Sequence, residues 1–206
     1  MTALALEALA SAPDPKIPEE TYRGGLDLFS AAIVDEEGQV DLDLEFEKDA
    51  ATIASDPKKN LQPCTWPAQL GRADPRAARK GSFFVLAAAL RTLLIVPGKL
   101  KLDEKQMKPV DTALRRGLAD LQLRWTLRTV PPVEAAWGLQ RLEYFGLLGP
   151  MLARAKIDRI AGSDWRLEGA TLLIRDQGED GSWFAGTDQA VAKTIHAMMF
   201  LASARR

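Results

Sequence analysis

The residue types that ordinarily do chemistry are scarce in this chain. His196 and Cys64 are the only histidine and cysteine among 206 residues. A single cysteine excludes an internal disulfide, and a zinc site needs three or four convergent ligands, so these two residues do not define one. A lone histidine on an apolar helix is more often a packed, hydrogen-bonded residue than a base. No Gly-x-Ser-x-Gly elbow is present to raise a nucleophilic serine, and no glycine-rich loop to cradle a phosphate. The densest carboxylates, Asp35 to Asp49, alternate with leucines as Asp41-Leu42-Asp43-Leu44-Glu45 and read as a solvated acidic loop. The most basic stretch, Arg72 to Lys80, has no interleaved aromatic residues to stack on bases. No cofactor is implied.

Composition narrows the function classes further. Lysine and arginine total 27 against 28 aspartates and glutamates, for a net charge of −1. The two signs are interleaved, so no basic face is offered to nucleic acid or anionic lipid. No apolar run reaches the length of a transmembrane span. Met1 to Ala12 imitates a signal peptide, yet it carries Glu7, lacks a positive n-region and is short. If Met1 is the native start, the compartment is cytoplasmic; if a longer N-terminus has been lost, the protein is exported.

The elements that must position any site read as helices. Glu19 to Val34, Ser82 to Val96, Glu104 to Thr126, Val133 to Leu148, a helix capped by Asp164, and Gln189 to Ala204 carry helical apolar spacing or helix signals. Val110, Leu114, Leu118 and Leu121 mark a buried stripe, and Gly149-Pro150 lies close to the end of the fourth helix. Met1 to Ala12 matches the rhythm of Lys193 to Ala204, and both finish Leu-Ala-Ser-Ala. The expected count is seven helices: one unpaired helix and three pairs. Residues 35–80 interrupt the pattern as one long irregular insertion, with a short strand expected at Val40 to Phe46.

The run from Gly169 to Trp183 is the most informative. An apolar helix ends, Gln177 follows in the expected last turn, and Asp180-Gly181-Ser182-Trp183 turns the chain into the next helix. Glycine takes positive φ without steric cost, and aspartate bonds its own backbone. The Gln177 amide is available to the unpaired carbonyls at the helix end. This segment resembles the glutamine–tryptophan (QW) repeat of squalene cyclases and prenyltransferases, and Glu134 to Arg206 is similar to the closing repeats of bacterial prenyltransferase-like repeat proteins. The resemblance implies an all-α fold: an α/α toroid-like array of helical hairpins, a partial or open ring in a single domain over 1–206. It also implies that Gln177 stacks on the tryptophan of a neighbouring repeat, a role for Trp183, and that Gln177, Asp180, Gly181 and Trp183 are structural. The orphan inner helix would make the chain a truncated piece or an open arc.

The acidic motif of squalene-type cyclases is not reproduced, nor the aspartate, cysteine and histidine zinc ligands of protein prenyltransferases. The reading is therefore a non-catalytic helical-repeat domain that binds a protein partner or a second copy of itself. The alternative is an apolar-ligand domain for an isoprenoid or lipid, or a cyclase or prenyltransferase fragment without its catalytic motif. Phe84, Leu86, Trp137, Leu142, His196 and Met199 are the candidates to line such a cavity. For the five tryptophans, packing near helix ends is the simpler role.

Overall fold

The computed structural model describes residues 18–31, 33–35, 37–46, 60–66, 83–127, 137–183 and 190–205. Met1 to Ala12 and Arg72 to Lys80 lie outside them. Six α-helices occupy most of the described chain: α1 (Glu19–Ala31), α2 (Phe83–Ile95), α3 (Glu104–Leu123), α4 (Trp137–Arg154), α5 (Trp165–Arg175) and α6 (Ala190–Ser203). A 3-10 turn, Val96–Lys99, continues α2, with Pro97 near its start. The fold is mainly helical, and the described residues also include five short strands.

The chain divides into two compact units. The first holds the described residues up to Leu42 and from Asn60 to Leu123, and the second holds residues 43–46 and those from Arg124 onward. In the first, α3 buries Val110, Ala113, Leu114, Gly117, Leu118 and Leu121. That stripe follows the spacing i, i+3, i+4, i+7 of an amphipathic helix. The four positions expected to face inward are among them. Asp103 opens α3 reciprocally: its Oδ1 accepts from Gln106 N–H at 2.8 Å, while Gln106 Oε1 accepts from Asp103 N–H at 3.1 Å. This is a capping box, and it satisfies two backbone donors at once.

Part of the region expected to be irregular is ordered against that helix. Strand β1 (Val34–Asp35) pairs antiparallel with β3 (Cys64–Thr65), and Val40 bridges to Leu61. Cys64, Thr65 and Trp66 are fully buried. Arg116 of α3 ties the segment down, donating to Gln62 O at 2.9 Å and to Asp35 at 2.5 Å.

In the second unit a three-stranded antiparallel sheet runs in the order β2 (Leu44–Phe46), β4 (Ile157–Ile160), β5 (Ser163–Asp164). Its β4–β5 hairpin turns through Ala161 and Gly162, both at positive φ, at 50° and 72°. Two positive φ values in a two-residue loop give the turn whose twist matches antiparallel strands. This sheet departs from the all-α expectation, apart from the short strand expected near Val40 to Phe46. Helix α4 also runs past its expected end at Leu148 to Arg154, with Pro150 inside it. The proline removes the backbone donor that would otherwise bond the carbonyl four residues back.

The core of this unit forms where α4 packs on α6. Phe200 is fully buried, 4.9 Å from the Phe145 ring centre and 5.5 Å from that of Trp165, edge-on to the latter. Gly149 and Gly169 give that ring its room. A Cβ on Gly149 would lie 2.8 Å from the ring and 3.2 Å from the Phe200 backbone; one on Gly169 would lie 2.1 Å from the ring tip. Asp164 caps α5 as expected, its Oδ1 accepting from the N–H groups of Arg166 and Leu167 at 3.1 Å each. Glu168 stands in the first turn, where the helix dipole favours a carboxylate.

Candidate functional site

The turn that joins α5 to α6 holds together by local chemistry. Gly181 takes φ of 79°. Asp180 Oδ1 accepts from Ser182 N–H at 3.0 Å and from Ser182 Oγ at 2.7 Å. These two bonds hold the Asp180 carboxyl below its usual pKa, the backbone bond most strongly. Helix α5 ends at Arg175 with Asp176 as its C-cap, so Gln177 stands just beyond the helix. Its Nε2 donates to Gly181 O at 2.7 Å and closes the turn on itself. The α5 carbonyl of Leu173 accepts from Trp183, whose buried indole N–H donates to it at 2.9 Å, and from the Asp176 backbone N–H at 3.2 Å. Gln177 and Trp183 thus act on the same hairpin, one within the turn and one at the helix end.

Trp66, Trp165 and Trp183 are buried. Trp165 donates its N–H to Ile157 O at 2.7 Å, linking α5 to β4. These three serve as core residues with a satisfied donor or close packing. Trp125 is half-buried, and the Trp137 side chain lies outside the described residues.

The cavity candidates fall in both units. Leu86 is fully buried in the first unit, on α2. Phe84 is on the same helix, and its side chain is outside the described residues. Leu142, His196 and Met199 belong to the packed pair α4 and α6 in the second unit, with Leu142 fully buried and the other two half-buried.

The polar group on that helix pair is Glu143, Lys193 and His196. Lys193 is almost completely buried, with its side chain 1% exposed, and its Nζ donates to Glu143 Oε1 at 2.6 Å. Glu143 remains 42% exposed, so the pair spans from the interior to water. His196 lies against Gly146, where an added Cβ would sit 2.4 Å from Nδ1. That nitrogen is buried and has no hydrogen-bond partner among the described residues. Burial lowers the imidazole pKa; the Glu143 carboxylate opposes this shift and the Lys193 ammonium adds to it. A neutral imidazole held at a helix–helix contact suits packing. Acid–base work needs a reacting group within hydrogen-bond reach.

Cys64 is buried in the first unit, with Sγ 3.8 Å from Ala113 O. Among the described residues, no group of three or more histidine, cysteine, aspartate or glutamate side chains could hold a metal ion. None of the described helices is long and apolar enough to cross a membrane.

A different feature was missed in the sequence. Val191, Ile195 and Met198 of α6 are 74%, 51% and 59% exposed. They follow one another at steps of four and three residues, the spacing of a coiled-coil seam. On α5, Leu167 and Ile174 are also exposed, seven residues apart. The signal was present in the sequence. It was hidden because α6 is apolar on several faces, and only packing against α4 decides which face is left outside. Comparison of the chain with family models, with curated proteins and with solved structures gives no match.

Proposed function

We propose that this chain is a non-catalytic helical-repeat domain of the α/α toroid type that binds another helix through its last hairpin. The observation that carries the reading is the exposed seam Val191, Ile195 and Met198 on α6. Single exposed apolar residues need no explanation, whereas a row of three on one helix line marks a contact surface. Steps of four and three residues suit a facing helix, because its side chains then alternate with those of the seam. Helical hairpins in repeat arrays bury such faces on a neighbour, and a terminal hairpin needs a cap.

The partner is a second copy of this chain, joined α6 to α6 about a twofold axis. A seam of like apolar residues is self-complementary in that arrangement. The helix–turn–helix built from α5, the Gln177–Gly181 closure and α6 supports the toroid-type repeat, and the burial of Trp183 supports it further. Sedimentation velocity over a wide concentration range tests the function. Association of the wild type that disappears in Ile195→Glu, with helicity unchanged, supports it. A monomer at every concentration overturns it.

A further inference from the structure

Helix α5 places Glu168, Thr171, Leu172 and Arg175 at i, i+3, i+4 and i+7, so the four share one face. With Arg141 of α4 they line a cleft of about 470 Å³. That volume lies within the range of small-molecule sites.

One end of the cleft is cationic in an unusual way. Asp176 is the single carboxylate between two guanidinium groups: it pairs with Arg141 Nη2 and, at 3.0 Å, with Arg175 Nε. The Arg141 side chain is only 17% exposed, and its Nε is buried without a hydrogen-bond partner among the described residues. Burial, and then the Arg175 charge, lower its pKa, which places the two cations close enough to oppose each other. Arg175 is 66% exposed, and Asp176 holds it by Nε. A guanidinium held by Nε keeps two terminal nitrogens, in the fork geometry that a carboxylate or phosphate engages with two parallel bonds.

We propose that this cleft binds a small organic anion, whose carboxylate or phosphate sits on the exposed Arg175 guanidinium, with the net positive charge left by two arginines on one Asp176 behind it. Glu168 sets the other end, seven residues or about 10 Å along the helix. Its Oε2 accepts from Ser163 Oγ at 2.5 Å, which fixes the carboxylate in place. That carboxylate repels a second anionic group and accepts from an ammonium or hydroxyl. Leu172 supplies the apolar wall between the two ends. The ligand therefore carries one anionic group, with a hydrogen-bond donor at its far end. This site does not use the α6 seam, so the two proposals stand or fall separately.

The test is NMR of the arginine Nε–H resonances in the full chain, titrated with 6-aminohexanoate and separately with inorganic phosphate. Saturable shifts of Arg141 and Arg175 with 6-aminohexanoate are expected, weakened at least tenfold in Arg175→Gln. Glu168→Gln should weaken 6-aminohexanoate and leave phosphate unchanged. Saturation by phosphate alone would assign the anionic group and overturn the role given to Glu168. The proposal fails if neither probe saturates, or if Arg175→Gln binds as well as the wild type. Arg175 is exposed, so its substitution leaves the fold intact to report on binding.

Discussion

Replacing Gly169 by alanine tests the packing account of the second unit at its tightest point. The new Cβ would lie 2.1 Å from Cζ of Phe200 and 2.5 Å from Cε1. The ring has little room to retreat. Phe145 stands 4.9 Å away by ring centres, Trp165 stands edge-on at 5.5 Å, and Gly149 lies against its other side. Forcing one methyl group into such a core costs about 1–3 kcal/mol. Alanine in place of a mid-helix glycine returns about 0.5–1 kcal/mol. A contact of 2.1 Å puts the cost at the upper end of that range, so the net expectation is a loss of about 1–2.5 kcal/mol, or a few degrees of melting temperature for a chain of this size.

Gly24 in α1 provides the control. It is exposed with nothing within 4 Å of an added Cβ, so Gly24→Ala should stabilise by up to about 1 kcal/mol. Urea unfolding followed by tryptophan fluorescence measures both, since Trp165 touches the disturbed ring. Shortening the ring in Gly169→Ala/Phe200→Leu should give a loss smaller than the sum of the single losses, because the clash partner is gone. A Gly169→Ala protein as stable as the wild type would refute the reasoning. So would strict additivity in the double variant.

Three further outcomes are expected. His196 has its pKa lowered, so between that value and the ordinary 6.5 the unfolded chain binds more protons than the folded one. Stability is then full above pH 6.5 and falls as the pH drops through the folded value; His196→Gln should flatten this slope in urea midpoints, and an unchanged slope would exclude His196 as its source. Asp164→Ala removes the α5 cap and should cost about 1 kcal/mol by the same assay, with no change counting against the two bonds at 3.1 Å. Trp183→Phe keeps most of the ring volume but removes the shorter of the two donors to Leu173 O, leaving the Asp176 N–H at 3.2 Å, for a loss of about 1 kcal/mol. A neutral effect there would mean that water or another group takes the carbonyl.

Helices were legible because their signals are local. The α3 stripe from Val110 to Leu121, the Asp164 cap and the Asp180-Gly181 turn are each contained within a few residues, and each is found where the sequence places it. The sheets were harder to read. Leu44 pairs with Ile160 and Val34 with Thr65, partners remote in sequence, through strands of two to four residues. Such short runs carry no usable period. The apolar run before it places Gln177 in the helix by sequence, whereas Asp176 ends that helix first.

The faces of α6 reverse the simple rule. Lys193 goes inside, where Glu143 meets it, while Val191, Ile195 and Met198 stay outside. Composition could not show this reversal, since it depends on a carboxylate and two glycines of α4. The Arg141 and Arg175 cleft was hidden for a similar reason, because two separate helices build it.

The α6 seam is proposed to join two copies of this chain. Native mass spectrometry of the purified wild type and of Ile195→Glu tests it most directly, and reports any bound passenger in the same spectrum. The expected result is a wild-type dimer without added mass and a monomeric, folded variant. A wild type that is monomeric, or a dimer that persists unchanged in Ile195→Glu, would contradict the claim.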